Sequence, residues 1–210
     1  MHVFKTAFLG AALALSAAFV PVHANEGDAA APAIPSGAYK MDPTHASLIW
    51  RVNHFGLSNY TARFTDFDIK LTLDMDNLEA STVSAHIDPL SVRTDHKGKE
   101  DFDGEISKGA KFLNATAFPS IDFRSTGVER TGETTALVHG NLTMLGVTKP
   151  VTLEVKLNGA MPSHPYAKVP AAGFHASGTL RRSDFGFDHL IPYVSDDVSF
   201  VIEAEFTKAD

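Results

Sequence analysis

The 210-residue sequence contains no cysteine. It therefore has no disulfide framework, no thiolate metal ligand and no cysteine nucleophile, and no lipid anchor on a cysteine is expected. Positive charge is also scarce: 25 aspartate and glutamate residues outnumber 18 lysine and arginine residues, and the formal net charge is −7. Nucleic acids and anionic membrane surfaces bind through cationic footprints, so neither is an expected partner.

An apolar run occurs near the start of the chain, between Ala7 and Val20, just after Lys5. It is shorter than the roughly 20 residues that span a bilayer, which disfavours the alternative of a retained membrane anchor. Val22-His23-Ala24 follows it and has the small-x-small form of a signal peptidase site. We therefore expect residues 1–24 to be a secretory signal peptide that is cleaved after Ala24.

The region after this signal divides into a leader and one domain. Residues 25–36 are rich in alanine and proline and poor in large apolar side chains. Such a stretch buries too little surface to offset the entropy lost on ordering, so we expect a flexible leader. Residues 37–210 show no internal repeat, and their length suits one domain with a sizeable core.

Alternation of apolar and polar residues dominates the predicted domain. In the clearest example, the residues that share one face are Leu48, Trp50, Val52 and His54. A period of two is typical of a strand with one buried face. We count about eight such strands, which must stack as two sheets or close into a barrel, and the pattern alone does not distinguish these outcomes.

The charged segment from Thr94 to Ala110 departs from this alternation. Phe102 and Ile106 lie four residues apart in it, which predicts one or two turns of helix with Thr94 or Asp95 near the N-cap. The sequence therefore predicts an all-β fold with one short helical segment.

Motifs for catalysis or metal binding are scarce. The histidines of the predicted domain are scattered without an H-x-H pair or an HExxH segment, and no G-x-S-x-G or S-x-x-K motif is present. His54 stands out because it shares a strand face with Trp50 and Val52. It is either a hydrogen-bonded core histidine or an interior ligand contact. The sequence predicts no catalytic residue, no metal site and no cofactor.

An ordered set of short motifs spans nearly the whole predicted domain. Tyr39-Lys-Met-Asp-Pro-Thr-His45 leads into the first strand, and residues 140–151, Gly-Asn-Leu-Thr-Met-Leu-Gly-Val-Thr-Lys-Pro-Val, form the most specific run. Residues 87–94, 118–125, 182–187 and 195–198 complete the set. Together these motifs resemble the YceI-like, polyisoprenoid-binding family of bacterial exported proteins.

Two positions depart from the pattern of that family. Ala46 separates His45 from Ser47, where the family usually has serine directly after the histidine. Trp50 stands where phenylalanine is commoner, and it takes more volume at that point of the interior.

The resemblance implies an extended, eight-stranded, lipocalin-like antiparallel barrel in the periplasm. Its long apolar tunnel is expected to hold a polyisoprenoid, a quinone-like lipid or another long amphiphile. The residues expected to line it are Trp50, Val52, Phe64, Phe67, Ile69, Phe123, Leu142, Phe174 and Phe200. A bulge near Thr65-Asp66 is needed to point both Phe64 and Phe67 inwards. The polar residues expected to meet the head group are His54, Arg63, Arg182 and Asp184.

The leading hypothesis is therefore a lipid carrier or sequestering protein without catalysis. One alternative is an enzyme that uses His54 or His45 on a lipid-like substrate, which requires a carboxylate or hydroxyl within about 3.2 Å of the imidazole. Another is an interaction module that docks a membrane redox partner through Thr94–Ala110. The sequence leaves both a monomer and a dimer open.

Overall fold

The computed structural model describes residues 34–209, so the predicted signal peptide and the leader up to residue 33 lie outside the described residues. The described chain is mostly β-structure with one α-helix. The elements in chain order are β1 (Gly37–His54), β2 (Ser58–Phe64), β3 (Phe67–Leu73), β4 (Thr82–Ile87), β5 (Val92–Arg93), α1 (Phe102–Lys108), β6 (Ile121–Arg130), β7 (Thr135–Met144), β8 (Val147–Met161), β9 (Ala171–Arg181) and β10 (Val194–Lys208).

The strands form one closed antiparallel barrel. Each strand pairs with its neighbours in the order β1, β3, β4, β6, β7, β8, β9 and β10, and β10 pairs with β1 to close the ring. Closure leaves no long unpaired edge, which is how a barrel avoids edge-to-edge association. Alternation alone left sandwich and barrel open, whereas the family resemblance predicted an eight-stranded barrel. The pairing of the first long strand with the last one confirms the barrel.

The barrel has eight strands, because β2 and β3 together form a single barrel strand that pairs with β1. Residues 58–64 pair with the C-terminal half of β1, and residues 70–73 pair with its N-terminal end. Thr65 and Asp66 interrupt the strand between them, and Thr65 donates a backbone hydrogen bond of 3.2 Å to the carbonyl of Ser91. This break replaces the predicted bulge, and Phe64 and Phe67 both face the interior on either side of it.

The short helix was predicted in the right segment but with the wrong cap. Helix α1 spans Phe102–Lys108, and the carboxylate of Asp101 caps it by accepting from the amide of Gly104 at 3.0 Å. Thr94 instead donates from its hydroxyl to Asp103 at 2.6 Å. Asp95 lies seven residues ahead of the helix and pairs with Arg63.

Two groups of connections mark the two ends of the barrel. The turn 55–57, helix α1 and the connection 182–193 lie at one end, which we call the helix end. The connections 74–81, 131–134 and 162–170 lie at the other, with Gly37 and Lys208, and we call this the terminal end. No helix among the described residues is long and apolar enough to cross a membrane.

The last three residues of the predicted leader are packed against the terminal end. Ile34 is buried, with 6% of its surface exposed. The hydroxyl of Tyr39 donates to the carbonyl of Pro35 at 2.7 Å, and the hydroxyl of Ser36 accepts from the amide of Met75 at 2.8 Å. The sequence placed these residues in a flexible stretch, which is wrong for them because Ile34 supplies apolar surface that the barrel end buries.

Candidate functional site: a long apolar cavity

The interior of the barrel is hollow. A cavity of about 950 Å³ extends from Ile34 at the terminal end to Leu190 at the helix end. Every strand longer than two residues contributes side chains to its wall, because alternate residues of a strand point to the same face. The volume lies at the upper end of the range of small-molecule sites, about 300–1,000 Å³.

The middle of the cavity is apolar and its charged groups are at the ends. Arg130 and Glu133 reach it from the terminal end, where β6 turns into β7. Glu105 and Arg182 reach it from the helix end. A charge buried without a partner loses its hydration at a high cost, so this distribution suits a molecule with a long uncharged body.

The structure places all nine residues predicted to line the tunnel in the wall of this cavity: Trp50, Val52, Phe64, Phe67, Ile69, Phe123, Leu142, Phe174 and Phe200. Two of them lie over glycines of a neighbouring strand. A β-carbon at Gly178 would come within 2.6 Å of the ring of Phe200, and one at Gly140 would collide with the ring of Phe123. These glycines let the two rings lie against the barrel wall and leave the middle of the cavity open.

Among the predicted polar residues, His54 lies at the mouth of the cavity at the helix end. Its ring contacts that of Phe55, with the centroids 4.6 Å apart, and lies 6.3 Å from that of Tyr60. It is exposed rather than a buried core histidine.

Arg182 is buried, with 3% of its surface exposed, and also borders the cavity. Its guanidinium donates four hydrogen bonds of 2.8–3.1 Å, and the accepting carbonyls belong to Phe187, His189, Val194 and Ser195. Burial lowers the pKa of Arg182 from its usual value, and the charges of Asp196 and Asp188 oppose that shift. These contacts hold the β9–β10 connection in place, so the first role of Arg182 is to shape the helix end.

Arg63 and Asp184 are not part of the cavity wall. Arg63 lies on the outer face of β2, where its guanidinium is 3.6 Å from the carboxylate of Asp95. Alternation places it opposite to Phe64, so strand parity alone contains the signal that excludes it. Asp184 lies in a short 3₁₀ turn and accepts from Arg181 at 3.1 Å.

The two histidines of the enzyme alternative are separated by the barrel wall. His45 Nδ1 lies 2.9 Å from the carboxylate of Asp42, within the required reach, but the pair is on the outside of the barrel and His45 is exposed. His54 borders the cavity, and its ring neighbours are aromatic. Among residues 34–209, no group of three or more histidine, aspartate and glutamate residues is arranged to hold a metal ion.

Sequence reasoning missed the aromatic residues that cover the helix end: Tyr60, Phe102, Phe112 and Phe187 border the cavity there. Phe102 packs edge-on against Tyr60 with a centroid distance of 6.2 Å, and Phe112 packs against Phe187 at 5.8 Å. The spacing of Phe102 and Ile106 was the available signal. It predicted a helix with one apolar face, and that face covers the barrel end. The polar side of Thr94–Ala110 is therefore the side that remains for the alternative in which this segment docks a partner.

The fold and the cavity define a class of protein, the closed eight-stranded barrel with a hollow apolar interior. Residues 39–206 match the YceI-like domain family. A UPF0312 protein of Enterobacter sp. strain 638 is 38% identical over 169 residues, which are 80% of this chain and 84% of that protein. One from Yersinia pestis strain Pestoides F is 36% identical with the same coverage. The chain belongs to the YceI-like domain family.

Solved structures share the fold at low sequence identity. Burkholderia cenocepacia BcnA superposes with a TM-score of 0.68 at 17% identity, covering 79% of this chain and 98% of that one. The Campylobacter jejuni YceI protein gives 0.64 at 24%, covering 75% and 90%. A polyisoprenoid binding domain from Saccharophagus degradans, implicated in plant cell wall breakdown, gives 0.59 at 13%, covering 82% and 99%.

Proposed function

We propose that this protein is a periplasmic carrier that holds a long apolar amphiphile in its barrel, without catalysing a reaction on it. Polyisoprenoids and quinone-like lipids are the ligand classes we favour. The observation that carries the proposal is the cavity of about 950 Å³, which is apolar along the barrel and charged only at its ends. The fold shared with a domain described as polyisoprenoid binding supports the same ligand class.

The energetics of such a ligand are favourable. Each CH₂ group transferred from water to an apolar site contributes about 0.8 kcal/mol, so a chain of about ten carbons contributes on the order of 8 kcal/mol. Part of this gain offsets the translational and conformational freedom lost on binding. Trp50, Phe67 and Phe123 are among the side chains that offer apolar surface to a hydrocarbon chain in the cavity.

Periplasmic location is the second part of the proposal and rests on residues 1–24. In an aqueous compartment between two membranes, a long-chain lipid is poorly soluble unless a protein shields its apolar chain from water. A fusion of these residues to a reporter that is active only after export tests this part. A fusion that stays inactive, while a known secretion signal activates the same reporter, would contradict it.

The ligand itself is tested by extracting purified protein with organic solvent and identifying the extract by mass spectrometry. We compare the wild type with Ala176→Phe, which adds a ring to the cavity wall of β9, and with Thr179→Phe, which adds the same ring on the exposed face of that strand. The wild type and Thr179→Phe are expected to carry a long-chain lipid, and Ala176→Phe to carry several-fold less. Repeated extracts without lipid, from protein that is folded by circular dichroism, would refute the proposal.

Trp50 offers an independent measurement in solution because it is the only tryptophan of the chain and borders the cavity. Titration of delipidated protein with farnesol, geranylgeraniol or a short-chain ubiquinone is expected to change its emission to saturation. A linear, unsaturable change would indicate partition onto the surface rather than binding inside.

A further inference from the structure

The helix end carries an exposed apolar patch on two neighbouring connections. Four large apolar side chains form it, and we call them the apolar rim: Phe55 (53% exposed), Leu57 (87%), Leu190 (46%) and Tyr193 (62%). Phe55 stacks on Tyr193 with a centroid distance of 5.6 Å, and its amide donates to the carbonyl of Tyr193 at 2.7 Å. These two contacts join the β1–β2 turn, which carries Leu57, to the β9–β10 connection, which carries Leu190.

The backbone presents these side chains at a conformational cost. Phe55 has a φ of 55° and Leu190 a φ of 65°, both in the left-handed region that residues with a bulky side chain rarely adopt. Strained positions of this kind cluster at binding sites and ligand clamps. Most turns are built from glycine and small polar residues. The large apolar side chains that turn 55–57 and the β9–β10 connection expose therefore call for a function.

The apolar rim is continuous with the interior of the barrel. Leu190 belongs to the rim and also borders the cavity. His54 borders the cavity as well, and its ring contacts Phe55. The rim therefore adjoins the mouth of the cavity, through Leu190 directly and through His54 beside Phe55.

The two segments that carry the rim are themselves uncharged, which indicates the kind of surface they contact. The stretches Asn53–Tyr60 and His189–Ser195 contain no aspartate, glutamate, lysine or arginine. Exposed tyrosine and phenylalanine beside aliphatic residues are typical of surfaces that dip into the interfacial layer of a bilayer. The net charge of −7 disfavours an anionic surface. The other exposed large apolar residues include Met75, Met161 and Tyr166 at the terminal end, where no aromatic stack joins them into one surface.

We propose that the apolar rim docks the helix end onto a neutral, zwitterionic lipid bilayer, so that the lipid passes between membrane and cavity without crossing water. This inference rests on the proposed carrier function and adds the membrane as the place of loading and release. Docking through a few side chains is weak and reversible, which suits a protein that must leave with its cargo.

The test is flotation with phosphatidylcholine vesicles. Leu57→Glu places a charge in the rim, and Tyr166→Glu is the matched control, since Tyr166 is equally exposed (89%) at the opposite end. Wild type and Tyr166→Glu are expected to float with the vesicles, and Leu57→Glu to lose about tenfold or more of its vesicle affinity, as the burial of one leucine side chain predicts. Adding phosphatidylserine is expected to weaken the binding of the wild type.

A second measurement uses the absence of cysteine in the chain. Leu57→Cys and Tyr166→Cys, each labelled with an environment-sensitive fluorophore, report which end enters the bilayer. A blue shift on vesicles at position 57 but not at 166 supports the proposal. Equal flotation of Leu57→Glu and wild type, no flotation of the wild type, or equal shifts at both labels overturns it.

Two further readouts separate the proposals from each other. Lipid extracted from Leu57→Glu in wild-type amounts, together with unchanged flotation, overturns the docking surface and leaves the carrier function standing. Empty cavities in all variants overturn the carrier function. A dimer of the wild type that Leu57→Glu dissociates, without vesicle binding by either, assigns the rim to a second copy of the chain and also overturns membrane docking.

Discussion

Gly140 lies in the barrel wall at a point that has no room for one additional carbon atom. A β-carbon there collides with the ring of Phe123 and comes within 2.6 Å of the carbonyl of Arg124. The carbonyl belongs to the barrel wall and cannot turn away. We expect Gly140→Ala to lower the free energy of unfolding by about 1–3 kcal/mol, as overpacking of a filled site does.

Urea denaturation of the delipidated protein measures this loss. Gly127→Ala is the control, because a β-carbon at Gly127 meets no atom within 4 Å. It is expected to change the free energy of unfolding by less than about 0.5 kcal/mol. Similar losses in the two variants would show that the contact with Phe123 is not what makes the position sensitive.

The pair formed by Asp42 and His45 on the outer face of β1 makes stability depend on pH. The hydroxyl and amide of Thr44 donate to Asp42, and His45 lies beside it, so the pKa of Asp42 falls to about 2. The same carboxylate raises the pKa of His45 above 6.5, with a smaller contribution from Glu205. The aspartate stabilises the fold above its ordinary pKa and loses that effect as the pH falls towards 2. The histidine stabilises it below pH 6.5 and loses that effect as the pH rises past its raised pKa.

Titration of His45 by NMR tests this pair. We expect the pKa of His45 to lie above 6.5 in the wild type and to fall in Asp42→Asn, with a smaller fall in Glu205→Gln. Both side chains of the pair are partly in solvent, so added salt is expected to reduce the difference. An unchanged pKa in Asp42→Asn would contradict the assignment.

At the scale of the element, the β9–β10 connection depends on Arg182. Its four hydrogen bonds go to carbonyls within residues 187–195. Most of that stretch lies between β9 and β10 and is not paired in the sheet. In Arg182→Gln the shorter side chain leaves most of these partly buried acceptors without a protein partner. We expect the free energy of unfolding to fall by roughly 2–4 kcal/mol, with faster proteolysis within residues 186–193.

Arg181 provides the control for this prediction. It is the neighbouring residue and forms ion pairs with Asp184 at 3.1 Å and Asp196 at 3.5 Å, but it is largely exposed. Arg181→Gln is therefore expected to lower the free energy of unfolding by less than about 1 kcal/mol. Equal losses in both variants, measured by urea denaturation, would mean that burial of Arg182 adds nothing to its contacts.

At the scale of the whole molecule, the bound lipid is expected to be part of the folded structure. A ligand that binds only the folded state stabilises it by mass action, by about 2.7 kcal/mol at a hundredfold excess over its dissociation constant. For a domain of this size, that stabilisation corresponds to a rise in Tm of roughly 5–10 °C. Delipidated protein should therefore melt lower than protein as purified, and the extracted lipid should restore the difference.

Calorimetry of the two forms checks this expectation, with Ala176→Phe as the control. Its narrowed cavity is expected to show little change in Tm on delipidation or on return of the lipid. A wild type whose Tm is independent of its lipid content would argue that the cavity is empty in the functional protein.

Much of the cavity wall could be predicted from the sequence, because the direction of a side chain along a strand is a local property. Alternation placed Trp50 and Val52 on one face of β1, and the same rule placed Phe123 and Phe200. All of these residues border the cavity. The ordered motifs implied the family and its barrel. The match over residues 39–206 confirms the family, and the pairing of β10 with β1 confirms the barrel.

The tertiary structure alone decided what lies inside and outside at the ends of the barrel. Irregular connections have no periodicity, so nothing local reveals that Arg182 is buried under four carbonyls while Arg181 is exposed. The rim is a similar case, since Phe55 and Tyr193 are 138 positions apart in the sequence and meet only because β1 and β10 close the ring.

The sequence by itself determined which strand faces are apolar, since this needs only the alternation of side chains. Whether those faces surround a solid core or an open cavity depended on the closure of eight strands, which is a property of long-range pairing.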